Sequence, residues 1–88
     1  MNLKLIKIGA SWCAPCNALD KQLEGFDLCD FKKYDVDDDD DETLSTIDKY
    51  QIRSVPVTIL LDDNENILKK WIGTTTRTNI EEEIKKYL

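Results

Sequence analysis

Cys13 and Cys16 are the two residues of this chain best placed to do chemistry together, three positions apart in Trp12-Cys13-Ala14-Pro15-Cys16. The pair follows a strand-like run, Leu3 to Ile8, and precedes a helix-like run, Asn17 to Glu24. A thiol at a helix start faces unpaired N–H groups and the positive end of the helix dipole, which favour thiolate over thiol. The i, i+3 spacing brings the second sulfur to the same face, within reach of a mixed disulfide on the first. Pro15 suits a first helical turn, where a missing N–H costs little. The arrangement predicts reversible thiol–disulfide exchange.

Other uses of a Cys-x-x-Cys pair fit less well. A closed zinc site needs four ligands, usually Cys or His, and the chain has no His and one further thiol, Cys29. A structural disulfide across so small a loop removes little entropy from the unfolded chain. A cysteine hydrolase needs an imidazole base. No metal and no prosthetic group is expected.

At 88 residues the chain predicts a single domain, residues 1–88, able to bury about 60–65% of its unfolded surface. Hydrophobic residues make up 41% and charged residues 34%, a globular composition with no run of the ~20 apolar residues that span a bilayer. The amino-terminal residues lack the uninterrupted apolar core and cleavage site of a secretory signal, and three cysteines argue against a secreted disulfide framework. A net charge of −6 argues against nucleic-acid binding. These features predict a cytoplasmic protein, and a monomer is expected.

The elements that must position the cysteines follow from apolar spacing. Leu3 to Ile8 predicts a strand, ending in the turn Gly9-Ala10-Ser11. Asn17 to Glu24 predicts a short helix, with Leu19 and Leu23 on one face and Gly25 as its stop. Phe31 to Val36 alternates as a second strand. Asp37 to Glu42 leads into a helix over 43–50, with Leu44 and Ile47 on one face and an Asp as N-cap. Val55 to Leu61 is the most apolar run and predicts a central strand, with Pro56 near its start. A polar turn over 62–66 and a strand over 67–72 complete a hairpin, and residues 79–88 predict a closing helix with Ile80 and Ile84 inward.

This order, with Trp-Cys-x-Pro-Cys after the first strand and Val-Pro opening the third, resembles the thioredoxin family over nearly the whole chain. The resemblance implies an α/β thioredoxin fold: a minimal βαβαββα chain, with a four-stranded mixed sheet flanked by three helices. The extra amino-terminal strand and helix of full-length thioredoxins are not expected, which puts the chain near glutaredoxins and minimal phage and archaeal thioredoxins in size. The glutaredoxin pattern Cys-Pro-Tyr-Cys is absent.

Carried over residue by residue, Cys13 resembles the exposed attacking thiolate and Cys16 the buried resolving thiol. Trp12 resembles the tryptophan flanking the site. Ala14 stands where Gly is usual, beside the retained Pro15. Pro56 resembles the proline following a cis peptide opposite the disulfide, so Val55-Pro56 is expected to be cis, with Val55 turned to pair with a target strand. Gly73 resembles the glycine that lets a substrate backbone approach. Lys33 falls where the family often carries a lysine behind the site. Lys7 takes the place of a buried acid that accepts the resolving thiol's proton.

Lys7 could act as a charge near the sulfurs, but the stronger expectation is a strand-end lysine whose amine snorkels to water. Cys29 is expected to be a small buried hydrophobe, and Trp71 to pack on the sheet. The acidic run fails the calcium-loop pattern: counting from Asp37, position six is Glu42 and position twelve is Asp48. By resemblance, the function is dithiol–disulfide exchange that reduces disulfide-containing proteins. Electrons would come from a flavin-dependent reductase or glutathione, with ribonucleotide reductase among the acceptors. A glutathione-dependent glutaredoxin-type reductase and a non-catalytic binding module are the alternatives.

Overall fold

The computed structural model describes residues 2–88. The element order is β1 (Lys4–Gly9), α1 (Ala14–Gln22), β2 (Asp30–Asp35), α2 (Asp41–Lys49), β3 (Val57–Leu61), β4 (Ile67–Ile72) and α3 (Arg77–Lys85). The four strands form one sheet in the order β2-β1-β3-β4. β1 pairs parallel with β2 and antiparallel with β3, and β3 pairs antiparallel with β4. This is the minimal thioredoxin fold, with a mixed sheet and three helices.

The two central strands read as continuous apolar runs because both their faces are covered. On one face, Leu3, Leu5 and Leu60 pack with Leu19 and Leu23 from the α1 segment and Ile80 and Ile84 from α3. On the other, Ile6, Ile8, Val57, Ile59 and Leu61 pack with Tyr34 and Tyr50. Alternate residues of β1 and β3 therefore serve opposite cores, as the period of two requires. Trp71 packs half-buried against the first core, as expected.

Helix boundaries differ from the spacing-based expectation for identifiable reasons. α1 begins at Ala14 because Cys13 itself is the N-cap, its Sγ accepting the Cys16 N–H at 3.2 Å. It ends at Gln22, three residues before Gly25, whose φ of +72° serves the following turn. α2 begins at Asp41, with Asp40 as N-cap accepting from Thr43 N–H at 3.1 Å. Its buried residue is Thr43, whereas Leu44, expected inward, is 50% exposed. Thr76 caps α3, which starts two residues earlier than the apolar spacing marks. Val55 and Pro56 precede β3, so the proline lies in the approach to the strand and removes no ladder hydrogen bond.

Candidate active site

The site is assembled where β1 gives way to α1. Cys13 N–H donates to Ala10 O at 3.1 Å and Asn17 N–H to Cys13 O at 3.0 Å, and Asn17 Nδ2 donates to Ser11 O at 3.1 Å. These bonds fix the turn that carries the cysteines. Cys13 and Cys16 form a disulfide, with Cα atoms 5.2 Å apart. Cys16 is fully buried. Cys13, expected to be exposed, is only 7% accessible, because Ala10, Val36 and Val55 crowd the disulfide. The order of accessibility nevertheless puts Cys13 outermost. The N–H donated to its sulfur is a charge-assisted bond whenever that sulfur is a thiolate.

Ala14 and Pro15 lie exposed in the first turn of α1. Trp12 is 67% exposed, and its indole Nε1 donates to Asp37 Oδ2 at 2.8 Å. Asp37 is oriented in turn by its own N–H, which donates to Asp35 Oδ1 at 2.9 Å. The sequence places Asp37 only in a solvated acidic run; no local spacing connects it to a tryptophan 25 residues away. The Val55-Pro56 peptide is cis, as expected. Val55 packs against the cysteine cluster, and Gly73, at φ +93°, donates its N–H to Pro56 O at 2.8 Å. A side chain at Gly73 would meet no atom but would strain the backbone. Its neighbour Ile72 is 70% exposed at the rim, a position that strand alternation in the sequence does not mark.

Lys7 overturns the expectation that its amine reaches water. It is 3% accessible, and its Nζ lies 2.8 Å from Asp20 Oδ1 on α1. Lys7 shares its sheet face with Leu5, directed toward α1, so the short way to solvent is closed by the helix. The approach is an ion pair misaligned for a hydrogen bond, and the buried Oδ1 has no hydrogen-bond partner among the described residues. Nothing in the sequence signals Asp20, a mid-helix carboxylate, as the partner of a strand lysine. Lys33 is the parallel register partner of Lys7, exposed at the mouth of a cavity behind the disulfide. Cys29 is a free thiol, half-buried against the first core; burial, then the nearby Asp30 charge, push its pKa above the ordinary thiol value.

The thioredoxin family model matches residues 1–86. A thioredoxin of Staphylococcus epidermidis is 34% identical over 98% of this chain and 83% of its own length. Among solved structures, a variant thioredoxin from Halobacterium salinarum superposes with a TM-score of 0.81 at 26% identity, over 98% of this chain and 74% of that one. A Trichomonas vaginalis thioredoxin superposes with a TM-score of 0.76 at 28% identity, over 98% and 79%. With a Cys-x-x-Cys disulfide at the amino end of α1 and the chain matched nearly end to end, the protein belongs to the thioredoxin family and is a dithiol–disulfide oxidoreductase.

Proposed function

We propose that the protein reduces protein disulfides with Cys13 as the attacking thiolate and Cys16 as the resolving thiol. The observation that carries this reading is the Cys16 N–H donated to Cys13 Sγ, at a helix start, beside a second sulfur that is wholly buried. Cys13 thiolate attacks one sulfur of the target disulfide, forming a mixed disulfide and releasing the other target sulfur as thiolate. Cys16 thiolate then attacks Cys13 Sγ; the Cys13–target bond breaks, and the second target sulfur leaves as thiolate. The chain's dithiol is oxidised and the target disulfide reduced.

Trp12, Val55, Ile72 and Gly73 supply the rim. The half-buried Val55 abuts the disulfide, so an extended target segment pairing with its backbone would lie beside the sulfurs. Gly73 leaves open space for that segment. Recycling by a flavoprotein reductase fits the thioredoxin-type Trp-Cys-x-Pro-Cys string better than recycling by glutathione does. The protein would act as a cytoplasmic monomer.

Insulin reduction driven by dithiothreitol tests the activity, and a non-catalytic binding module would show no acceleration. Cys16→Ser should accumulate a mixed disulfide through Cys13, while Cys13→Ser should accumulate none; the reverse pattern overturns the assignment. Replacing dithiothreitol by a thioredoxin reductase with NADPH, or by glutathione, separates the two recycling routes. Faster turnover with glutathione would favour the glutaredoxin-type reading.

A further inference from the structure

Behind the disulfide lies a charge pair that thiol–disulfide exchange at Cys13 and Cys16 does not itself require. Lys7 and Asp20 face each other across the β1–α1 interface, one nearly inaccessible and the other partly open. Gly9 shows how near this pair is to the resolving cysteine. A Cβ placed on Gly9 would lie 2.5 Å from Lys7 Nζ and 3.1 Å from Cys16 Cβ. The ammonium and the Cys16 side chain are thus separated by no more than those two distances end to end, with only a glycine between them.

Stability alone gives no reason for an ion pair here, since well-packed apolar residues of similar volume often do as well or better. A cation at this range does have an electrostatic consequence. In a low-dielectric interior it favours the anionic form of a neighbouring thiol. Thr58, the antiparallel register partner of Lys7 on β3, adds a buried hydroxyl with no hydrogen-bond partner among the described residues. The pair also has a route to solvent. An open cavity of about 300 Å³ is lined by Lys7, Gly9, Asp20, Lys33, Asp35 and Asp38.

We infer that Lys7 is a positioning residue for the resolving half-reaction, its buried ammonium stabilising the Cys16 thiolate while Asp20 partly offsets that charge. The inference rests on the assignment of Cys16 as resolver. When Cys16 loses its proton to solvent, the thiolate forms beside a positive charge. The thiolate then attacks Cys13 Sγ, and the electron pair of the broken bond leaves on the target sulfur. The other ionisable groups around Lys7 are Asp20 from α1, Lys33, Tyr34 and Asp35 from β2, and Asp38 from the following loop; β3 contributes the uncharged Thr58. Lys33 opposes a cation at this place, and the carboxylates of Asp35 and Asp38 at the cavity wall counter it.

The test titrates Cys16 by its thiolate ultraviolet absorbance in a Cys13→Ser, Cys29→Ala background, where it is the sole thiol. Lys7→Met should raise the titration midpoint by about one pH unit or more, the effect of removing a charge at this range. Asp20→Asn should lower it. In the intact dithiol protein, Lys7→Met should slow release of a mixed disulfide only about threefold at neutral pH. A tenfold loss of thiolate is partly offset because the more basic thiolate is the better nucleophile. Lys7→Arg should restore the wild-type midpoint. A purely structural pair would lose stability in both variants without moving the midpoint in opposite directions. Opposite signs support the inference, and any other pattern overturns it. Should Lys7→Met fail to fold, Asp20→Asn decides alone: a lowered midpoint supports the role, an unchanged or raised one ends it. The titration needs neither target nor electron donor, so its failure and a failure of insulin reduction are separate results.

Discussion

Cys13 and Cys29 show how environment divides the reactivity of like side chains. Cys13 caps a helix and accepts a backbone N–H, whereas Cys29 is half-buried against apolar side chains beside Asp30, and its thiol is pushed above the ordinary pKa. Since the thiolate is the reactive form, this upward shift leaves Cys29 less reactive than an ordinary thiol at neutral pH. In the reduced protein at pH 7, iodoacetamide should therefore label Cys13 well before Cys29, as peptide mass analysis after timed quenching will show. Early labelling of Cys29 would refute this division. Asp37 belongs to the same scale. Asp37→Ala frees the Trp12 indole and should shift tryptophan emission and slow target reduction severalfold, with little change in melting temperature, because the bond lies at the surface.

The elements are held in place by contacts at their ends. Arg77, at the start of α3, donates to Gln22 O at 3.1 Å and Glu24 O at 2.8 Å, and its Nε pairs with Glu81 at 2.8 Å. It supplies partners for carbonyls at and beyond the end of α1, the helix that carries the cysteines. Arg77→Ala should lower stability by about 1–2 kcal/mol, allowing for its partial exposure, a fall of roughly 5–15 °C in a chain of this size. Thermal unfolding followed by circular dichroism measures it. At α2, the Asp40 carboxyl is held below its ordinary range, chiefly by the Thr43 hydroxyl, then by the Thr43 N–H. A depressed carboxyl pKa stabilises the folded state above its unfolded value, near 4, and the contribution fades as pH falls through the lower folded value. Asp40→Ala should thus lower the melting temperature at neutral pH, and the difference from wild type should narrow below about pH 4.

At the scale of the molecule, β1 and β3 are shared walls of two cores, so neither core can be lost without exposing the other. Leu60 and Ile59 are adjacent in β3, both fully buried, and point into opposite cores. Leu60→Ala and Ile59→Ala should each cost about 2–5 kcal/mol, as cavity-forming substitutions do. Both should shift one cooperative transition, with fluorescence and far-ultraviolet dichroism coincident in urea. Separate transitions for the two probes would show that the faces unfold independently. Among the described residues no helix is long and apolar enough to cross a membrane.

Features that neighbouring residues specify among themselves are legible in the sequence. The i, i+3 cysteines, the strand and helix periods, the Asp N-cap of α2 and the polar hairpin turn depend on neighbours a few positions apart, and their order identifies the family. Helix starts differ from the apolar spacing by two or three residues because caps set them: Cys13 and Thr76 end the extended backbone with their own side chains. Pairings between elements are decided only by tertiary packing. Trp12 meets Asp37 across 25 residues and Arg77 meets Gln22 across 55, contacts that no periodicity announces. Lys7 is the sharpest case. Its sequence neighbourhood describes a lysine free to reach water, but α1 covers that face of β1 and brings Asp20 to meet it. Spacing alone places two thiols at a helix start; only the packing of that helix on the sheet puts a buried positive charge behind them.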